Sequence, residues 1–454
     1  MTMKTLVAGL MAFGLVVAAS RAGAAPLTLK ECIAEAVERS PEMEAVRDDI
    51  LAARQDVVKK QGTMLPYLSG QLDAYELNGS PVTPFSALHV FQPENPVLAR
   101  QAHWGPVGYE GIGVAYPLYR QGSILGINNP PAVASAKAVV SEQEWMARIS
   151  EQKLLLDVIS AYWYAVGYRQ EFQIYQRMVE LAGKKLQIVQ AQVVLELKLP
   201  QEIEAAKVEL AANQQSAASA REVADDATLQ LAVLMGRHAD TRLDLDSSPP
   251  QLPSLPPVRR FLDFVIPDHP ALQVQQARIE VVRQQLAVDK SMRLPEATLN
   301  TSFAVAQNLD YFNGNTRHPR PTLFTSFIQV DVPIFDFGQR RAAINESENK
   351  LLSEKARGSE LEVELRNAIA QEYTQINGTD QALARLQSDY TIASNRAELA
   401  QAQRAEGLID ELSLVDANLA LLGARVAIES EQVVKRLNYA GLQNLSGGTW
   451  QLLQ

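Results

Sequence analysis

Residues of the types used in catalysis and metal binding occur in this sequence, but their spacing matches none of the common sites. The five histidines are His89, His103, His238, His269 and His318. None lies at ligand spacing from another, and there is no phosphate loop, His-Glu-x-x-His pair or Gly-x-Ser-x-Gly turn. His269 stands at a predicted helix start where Ser40 stands in a similar earlier segment, which favours capping. We predict no catalytic, cofactor-binding or metal-binding residues, and no enzyme.

The other candidates for chemistry are carboxylates close to two predicted helix turns. Glu202 follows Pro200, whereas Asp410 and Asp416 follow Gly407. Carboxylates that are grouped around a passage attract cations, as rings of charge do in selective pores. The alternative is that each is an ordinary solvated acid at a helix end. Which of these two interpretations applies depends on the helices that carry these residues.

The sequence consists of two copies of one unit. The matching positions, first copy first, are Pro41 and Pro270, Pro66 and Pro295, Pro117 and Pro333, and Gly236 and Gly447. Their separation falls along the chain from 229 to 216 and then to 211 residues. An offset that shrinks in steps means that the first copy carries extra loop residues at two places.

The first residues have the order of a secretory signal peptide. Lys4 precedes an apolar run from Leu6 to Ala19, and Ala22-Gly23-Ala24 offers a small-residue cleavage site. We predict a signal peptide over residues 1–24. A membrane anchor is the alternative, although the run is shorter than the ~20 residues of a span. With Cys32 as the only cysteine, the exported chain has no disulfide framework and depends on packing.

The net charge argues against one class of partner. The formal charge is −10, and loss of Lys4 and Arg21 with the signal peptide brings the processed chain to −12. No basic cluster is interleaved with aromatic residues. We therefore predict no nucleic-acid partner.

Each copy predicts a helix, a β-hairpin and a long helical hairpin, in that order. Alternation with the two-residue period of strands follows Pro66 and Pro295. The predicted domains are a first repeat at 25–247 (β-hairpin 66–118, helical hairpin 132–236), a Pro-rich linker at 248–257, and a second repeat at 258–454 (β-hairpin 295–335, helical hairpin 339–446). The connections at 78–106 and 308–321 are rich in Pro, Asn and Gly, which is typical of exposed loops.

A heptad seam of apolar residues runs along each long helical region. In the first copy its members are Phe172, Tyr175, Val179, Ala182, Leu186 and Val189. In the second copy, 211 residues on, they are Leu383, Leu386, Tyr390, Ala393, Ala397 and Ala400. A helix from about Ala132 to Leu197 would be roughly 100 Å long, which no compact domain needs. Pro200 and Gly407 mark the turns at which the helices reverse.

Two β-hairpins with one apolar face are not stable alone. In a bilayer every backbone polar group needs a partner, so strands must close into a barrel without free edges. Four strands are fewer than the about eight of the smallest single-chain barrels. We infer that several chains pool their strands. The alternative is a soluble protein in which the hairpins pack on a helical bundle.

These features together resemble the TolC-type outer-membrane efflux family. The matching segments are Leu27-Thr28-Leu29, Ala34-Glu35-Ala36, Ser40-Pro41-Glu42, His269-Pro270-Ala271, Leu65-Pro66, Leu294-Pro295 and Pro333-Ile334-Phe335-Asp336-Phe337-Gly338. They span essentially the whole processed chain. The resemblance implies a mainly α fold with a small membrane β part: duplicated long-helix coiled-coil hairpins and four strands per chain. As a homotrimer, the strands complete a 12-stranded barrel and the helices an α-helical tunnel.

The resemblance also implies a function and partners. It implies a passive exit duct in the outer membrane of a Gram-negative bacterium, with a large periplasmic part, in a tripartite efflux pump or a type I secretion system. The implied partners are outer-membrane lipid, a periplasmic membrane-fusion adaptor and an inner-membrane pump of the RND or ABC type. The cargo would be small molecules or exported polypeptides. The alternative function is a soluble periplasmic coiled-coil scaffold or adaptor.

The resemblance assigns a role to the two helix turns. The family's tips follow a pattern like Gly-Leu-x-Ser-x-Leu-Asp-Val-Leu-x-Ala at the periplasmic entrance. In the second copy Ser413 occupies the acid position, and Asp416 follows one helical turn later. In the first copy Glu196 stands where glycine is usual. The implied gate residues are Glu202, Asp410, Ser413 and Asp416, at the helix-tip turns Pro200 and Gly407.

Overall fold

A computed structural model of the chain describes residues 26–75, 107–238, 241, 243–248, 252, 255–264, 269–308 and 322–447. Side chains are described at these positions except 71–75, 107–110, 264, 306–308 and 323. The predicted signal peptide, the loop 78–106, residues 309–321 of the second loop and part of the linker 248–257 lie outside the described residues.

Long helices dominate the described part of the chain. The elements are α1 (Leu29–Arg39), α2 (Pro41–Gly62), β1 (Tyr67–Tyr75), β2 (Val107–Arg120), β3 (Ser123–Ile124), α3 (Pro131–Val194), α4 (Gln201–Leu234), α5 (Val258–Phe264), α6 (Pro270–Ser291), β4 (Glu296–Asn308), β5 (Thr322–Asp331), α7 (Gln339–Ala405) and α8 (Glu411–Leu445). Helices α3 and α7 contain 64 and 67 residues, as the long predicted helices require. In the described ranges, no helix combines the length and the apolar character needed to cross a membrane.

Local sequence sets the helix starts. The Glu31 N–H donates to the Thr28 hydroxyl, and the Thr28 N–H donates to the Glu31 carboxylate at 2.8 Å, which forms a capping box at α1. Ser40 is extended because it precedes Pro41, and α2 begins at that proline. In the second copy the Ala271 N–H donates to His269 Nδ1 at 3.1 Å, which confirms the predicted capping.

Pairing of β2 with β4 joins the two strand pairs into one antiparallel sheet. The strand order is β1-β2-β4-β5, with the short β3 paired to β2. Within the described residues β1 and β5 each have a partner on one side only. The predicted hairpins ended at 118 and 335, whereas β2 reaches Arg120 through a bulge after Pro117, and β5 stops at Asp331. A bulge tolerates a proline, and Pro333 cannot donate to a strand neighbour.

The two faces of the sheet differ in chemistry. One face carries exposed apolar side chains, namely Leu68, Ile112, Val114, Phe303, Phe324, Ile328 and Val330. The opposite face is mainly small or polar, and there the Ser302 and Thr325 hydroxyls are hydrogen bonded across strands at 2.6 Å. We call these the apolar face and the polar face. Phe324 is 67% exposed, so the described residues leave this part of the apolar face uncovered.

Contacts divide the chain into two compact units. The first contains Met1–Arg47, Met146–Leu272 and Glu360–Gln454, and the second contains Asp48–Trp145 and Gln273–Ser359, with the sheet. In the first unit no member of either heptad seam is exposed, so both seams are at least half-buried. Cys32 is fully buried there, and burial raises the pKa of its thiol to about 11. The thiol therefore stays protonated and unreactive at neutral pH.

Candidate functional site

Both helical hairpins turn with the same backbone conformation. Glu196 has a φ of 54° and Gly407, 211 residues later, a φ of 73°. In the first turn the Leu197 N–H donates to the Gln192 carbonyl at 2.9 Å, and in the second the Leu408 N–H donates to the equivalent carbonyl at 2.8 Å. These six-residue bonds define Schellman turns, which place a left-handed residue just after the helix. The predicted reversals at Pro200 and Gly407 therefore share one mechanism.

Substituting Glu196 with glycine is expected to stabilise the first turn by about 1 kcal/mol. A side chain at positive φ costs about 1–2 kcal/mol that glycine avoids. The measurement is the thermal unfolding midpoint in detergent, which should rise. The matched control is Gly407→Ala: nothing lies within 4 Å of the added Cβ, so its midpoint should fall through backbone strain alone. A lower unfolding midpoint for Glu196→Gly would contradict the explanation by backbone strain.

Asp410 caps the second turn. Its carboxylate accepts the Ser413 N–H at 2.9 Å and the Ser413 hydroxyl at 2.5 Å, at the start of α8. The two bonds from Ser413, with smaller contributions from Gln192 and the Lys198 charge, hold the pKa of Asp410 below its usual value. Gln192 and Lys198 belong to the first hairpin, so this cap also links the two copies.

Glu202 is paired within the first turn. The Lys198 ammonium donates to its carboxylate at 2.5 Å, and this hydrogen bond lowers the pKa of Glu202. Lys198 therefore lies between two acids, one from each hairpin. The predicted gate residues Glu202 and Asp410 are near a common cation.

Lys185 connects three helices. From α3 its ammonium reaches Glu209 of α4 at 2.6 Å and Asp416 of α8 at 2.7 Å. Burial alone would lower the pKa of Lys185, but the hydrogen bonds to Asp416 and Glu209 outweigh it and raise that pKa. Beside this cluster lies an apolar contact of Val189, Ala206 and Leu412, from the same three helices. The predicted acid Asp416 is therefore an ion-pair partner between the two copies.

Acid should loosen these tips. The folded-state pKa values of Asp410 and Glu202 lie below their ordinary values of 3.8 and 4.5. Their contribution to stability is complete above those values and is lost as pH falls through the lower folded-state values. We expect hydrogen exchange at the tips, corrected for the intrinsic rate, to be constant from pH 7 to about 5 and to accelerate below about 4.

An Asp410→Asn variant is the control for this pH dependence. Asparagine keeps a capping oxygen but does not titrate, so it should flatten the acid response of the second tip. If the variant and the parent accelerated alike at that tip, Asp410 would not be responsible.

The sequence did not identify the cations of this cluster. Lys185 and Lys198, together with the acid Glu209, are charged residues on predicted helices, where charge is usually solvated, so their spacing gave no sign of an ion-pair cluster. One signal existed for Lys185: Arg396 stands 211 residues later, so both copies place a cation at this position. The acids themselves gave no sign of their partners, because those partners lie on other helices.

Comparison with known proteins finds a family model that matches the second half of the chain. Residues 265–448 match the family model of outer membrane efflux proteins. The chain carries an outer membrane efflux protein domain. This match covers most of the second repeat and confirms the resemblance to the TolC-type outer-membrane efflux family. No curated protein sequence matches the chain significantly.

Solved structures of outer-membrane channels share the fold of this chain. VceC of Vibrio cholerae is 17% identical, with a TM-score of 0.68, over 92% of this chain and 96% of that one. The open state of MtrE of Neisseria gonorrhoeae is 16% identical, with a TM-score of 0.71, over 92% and 89%. CmeC of Campylobacter jejuni is 12% identical, with a TM-score of 0.72, over 92% and 85%. The predicted fold class, mainly helical with a small β part, is confirmed.

Proposed function

We propose that this chain is a passive exit duct in the outer membrane of a Gram-negative bacterium, with a large periplasmic helical part. The observation that carries the proposal is the sheet with its four long strands β1, β2, β4 and β5. Its apolar face is exposed, and in the described part of the chain its outer strands β1 and β5 are paired on one side only. Lipid would cover the apolar face. The duct would be passive, because the energy for transport would come from the partner pump. It would not be an enzyme.

Strands from three chains would close the sheet. The edge of β5 in one copy would pair with the edge of β1 in the next, so three chains would form a homotrimeric, 12-stranded barrel. Closure would satisfy the edge N–H and C=O groups, as hydrocarbon surroundings demand. A soluble scaffold would instead leave Leu68, Phe324 and Ile328 in water, each more than half exposed.

The helix tips would form the periplasmic gate. Glu202, Asp410, Ser413 and Asp416 would surround the entrance in three copies, and the contacts of Lys185 and Lys198 would hold it closed. Opening would move the end of α3 away from α4 and α8, breaking the bonds from Lys185 to Glu209 and Asp416. The Pro200 and Gly407 turns would present the tips to the partners.

The partners and the repeat boundaries complete the proposal. A periplasmic membrane-fusion adaptor would dock at the helical hairpins, with an inner-membrane pump of the RND or ABC type. The cargo would be small molecules or, in type I secretion, polypeptides. The repeats would be the units 25–247 and 258–454, joined by the linker 248–257.

The mass of the detergent-extracted particle tests this function. Outer-membrane fractions are extracted, and the protein mass is measured by light scattering after size exclusion. Three processed chains per particle, with ion conductance after reconstitution into planar bilayers, are expected. A monomer or dimer that stays soluble without detergent would refute the duct.

A further inference from the structure

Among its described side chains, the polar face of the sheet carries two large rings, and the others are mainly small or polar. Its strand positions with described side chains are Tyr67, Ser69, Gly111, Gly113, Ala115, Pro117, Glu296, Thr298, Asn300, Ser302, Ala304, Thr325, Phe327, Gln329 and Asp331. Tyr67 and Phe327 are the only aromatic residues among these described side chains, and the aliphatic ones are two alanines and Pro117. Both rings are exposed, Tyr67 at 68% and Phe327 at 54%.

The two rings lie in one row across the sheet. Tyr67 pairs with Ala115, Ala115 with Asn300, and Asn300 with Phe327. Three strand spacings of about 4.8 Å put their Cα atoms about 14 Å apart. Aromatic pairs need centroids within about 7 Å, so the rings do not pack on each other within one chain. Each therefore keeps a free face.

Acidic residues lie on the same face, closer to the helices. Glu296 and Asp331 are register partners in the first pair of the β4 and β5 ladder. Glu296 is 3.7 Å from Arg120, and the Asp331 carboxylate accepts from Gln329 at 3.0 Å. Asp331 is four residues along β5 from Phe327, which is about 13 Å. A carboxylate and a ring at this spacing suit a solute with both a positive charge and an aromatic plane.

We propose that Tyr67 and Phe327 form a stacking site for planar aromatic cations in the exit passage. The proposal rests on the proposed duct, because only a closed barrel turns the polar face toward a passage. There β1 and β5 of neighbouring copies adjoin, so Phe327 of one chain lies on the strand beside Tyr67 of the next. Their free faces and the Asp331 carboxylate attract the cation through ring stacking and charge.

Block of single channels by ethidium tests the site. The full-length protein is reconstituted into planar bilayers, and the duration of ethidium block is compared with that of tetraethylammonium, a cation without a ring. The double variant Tyr67→Leu with Phe327→Leu keeps apolar volume but removes both rings. We expect ethidium block to shorten about tenfold, with tetraethylammonium block and potassium conductance unchanged.

Two further variants give matched controls. Phe324→Leu removes a ring from the same strand on the apolar face and should leave ethidium block unchanged. Tyr67→Phe keeps the ring and should behave as the parent. A conducting double variant with unchanged ethidium block would overturn the site, as would an equal effect of Phe324→Leu.

Other failures have separate signatures. A parent chain that forms no conducting trimer refutes the duct itself. If the double variant does not assemble, the two single leucine variants are measured. If neither single variant assembles, the rings are assembly contacts and the stacking site is refuted, whereas shorter ethidium block in either one supports it.

Discussion

Replacing Lys185 with methionine is expected to open the proposed gate about a hundredfold more often. The ammonium is the shared partner of Glu209 and Asp416, and methionine keeps its length but not its charge. Two ion pairs in each of three chains, at about 0.5 kcal/mol each, contribute about 3 kcal/mol to the closed state. That energy corresponds to about two orders of magnitude in the open-to-closed ratio. The measurement is open probability in planar bilayers, or antibiotic leak into whole cells.

Two variants test whether the Lys185 contacts are responsible. Lys184→Met removes the same charge from the adjacent exposed position and should leave the open probability near that of the parent. Asp416→Ala removes only one of the two pairs, so its effect should have the same direction and be smaller. An unchanged channel in both Lys185→Met and Asp416→Ala would exclude this cluster from the gate.

Gly167→Ala is expected to destabilise the first compact unit by about 2 kcal/mol. A Cβ at this position of α3 would lie 2.2 Å from Cγ2 of Val433 on α8. Valine is stiff at χ1, so the helices must separate, and overpacking costs about 1–3 kcal/mol. The better helix propensity of alanine offsets up to about 1 kcal/mol of this cost. Thermal unfolding in detergent should show a lower midpoint.

Gly183 on the same helix supplies the matched control. Nothing lies within 4 Å of a Cβ there, so Gly183→Ala should raise the midpoint through helix propensity. The double variant Gly167→Ala with Val433→Ala removes the clashing methyl group and should recover part of the loss. If both glycine substitutions shifted the midpoint in the same direction, close contact of α3 with α8 would not explain Gly167.

Features that depend on near neighbours were predicted well. The two helix reversals and the capping by His269 were predicted from residues close in sequence, and the structure has them. The helix reversal at Gly407 follows from a residue that adopts positive φ without strain. Glu196 adopts the same conformation without that advantage, so only its position in the repeat indicated the turn.

The extent of the strands was predicted less well. Alternation after Pro66 and Pro295 predicted strands with one apolar face, since a two-residue period assigns faces without knowledge of neighbours. It did not reveal that β2 continues past Pro117, because the bulge there depends on pairing with β4. The pairing of β2 with β4, which joins the two hairpins into one sheet, likewise could not be predicted from the alternation within a single strand.

By itself, the sequence determined the duplication, the long helices, the turns and the two faces of each strand. The duplication is visible when one half of the sequence is compared with the other, and caps and periodicity depend on residues a few positions apart. Only the tertiary structure decided which charges meet and which rings share a row. Lys185 is 231 residues from Asp416, and Tyr67 is 260 residues from Phe327. Such contacts depend on how whole helices and strands pack, and a local pattern carries no information about the partner at that distance.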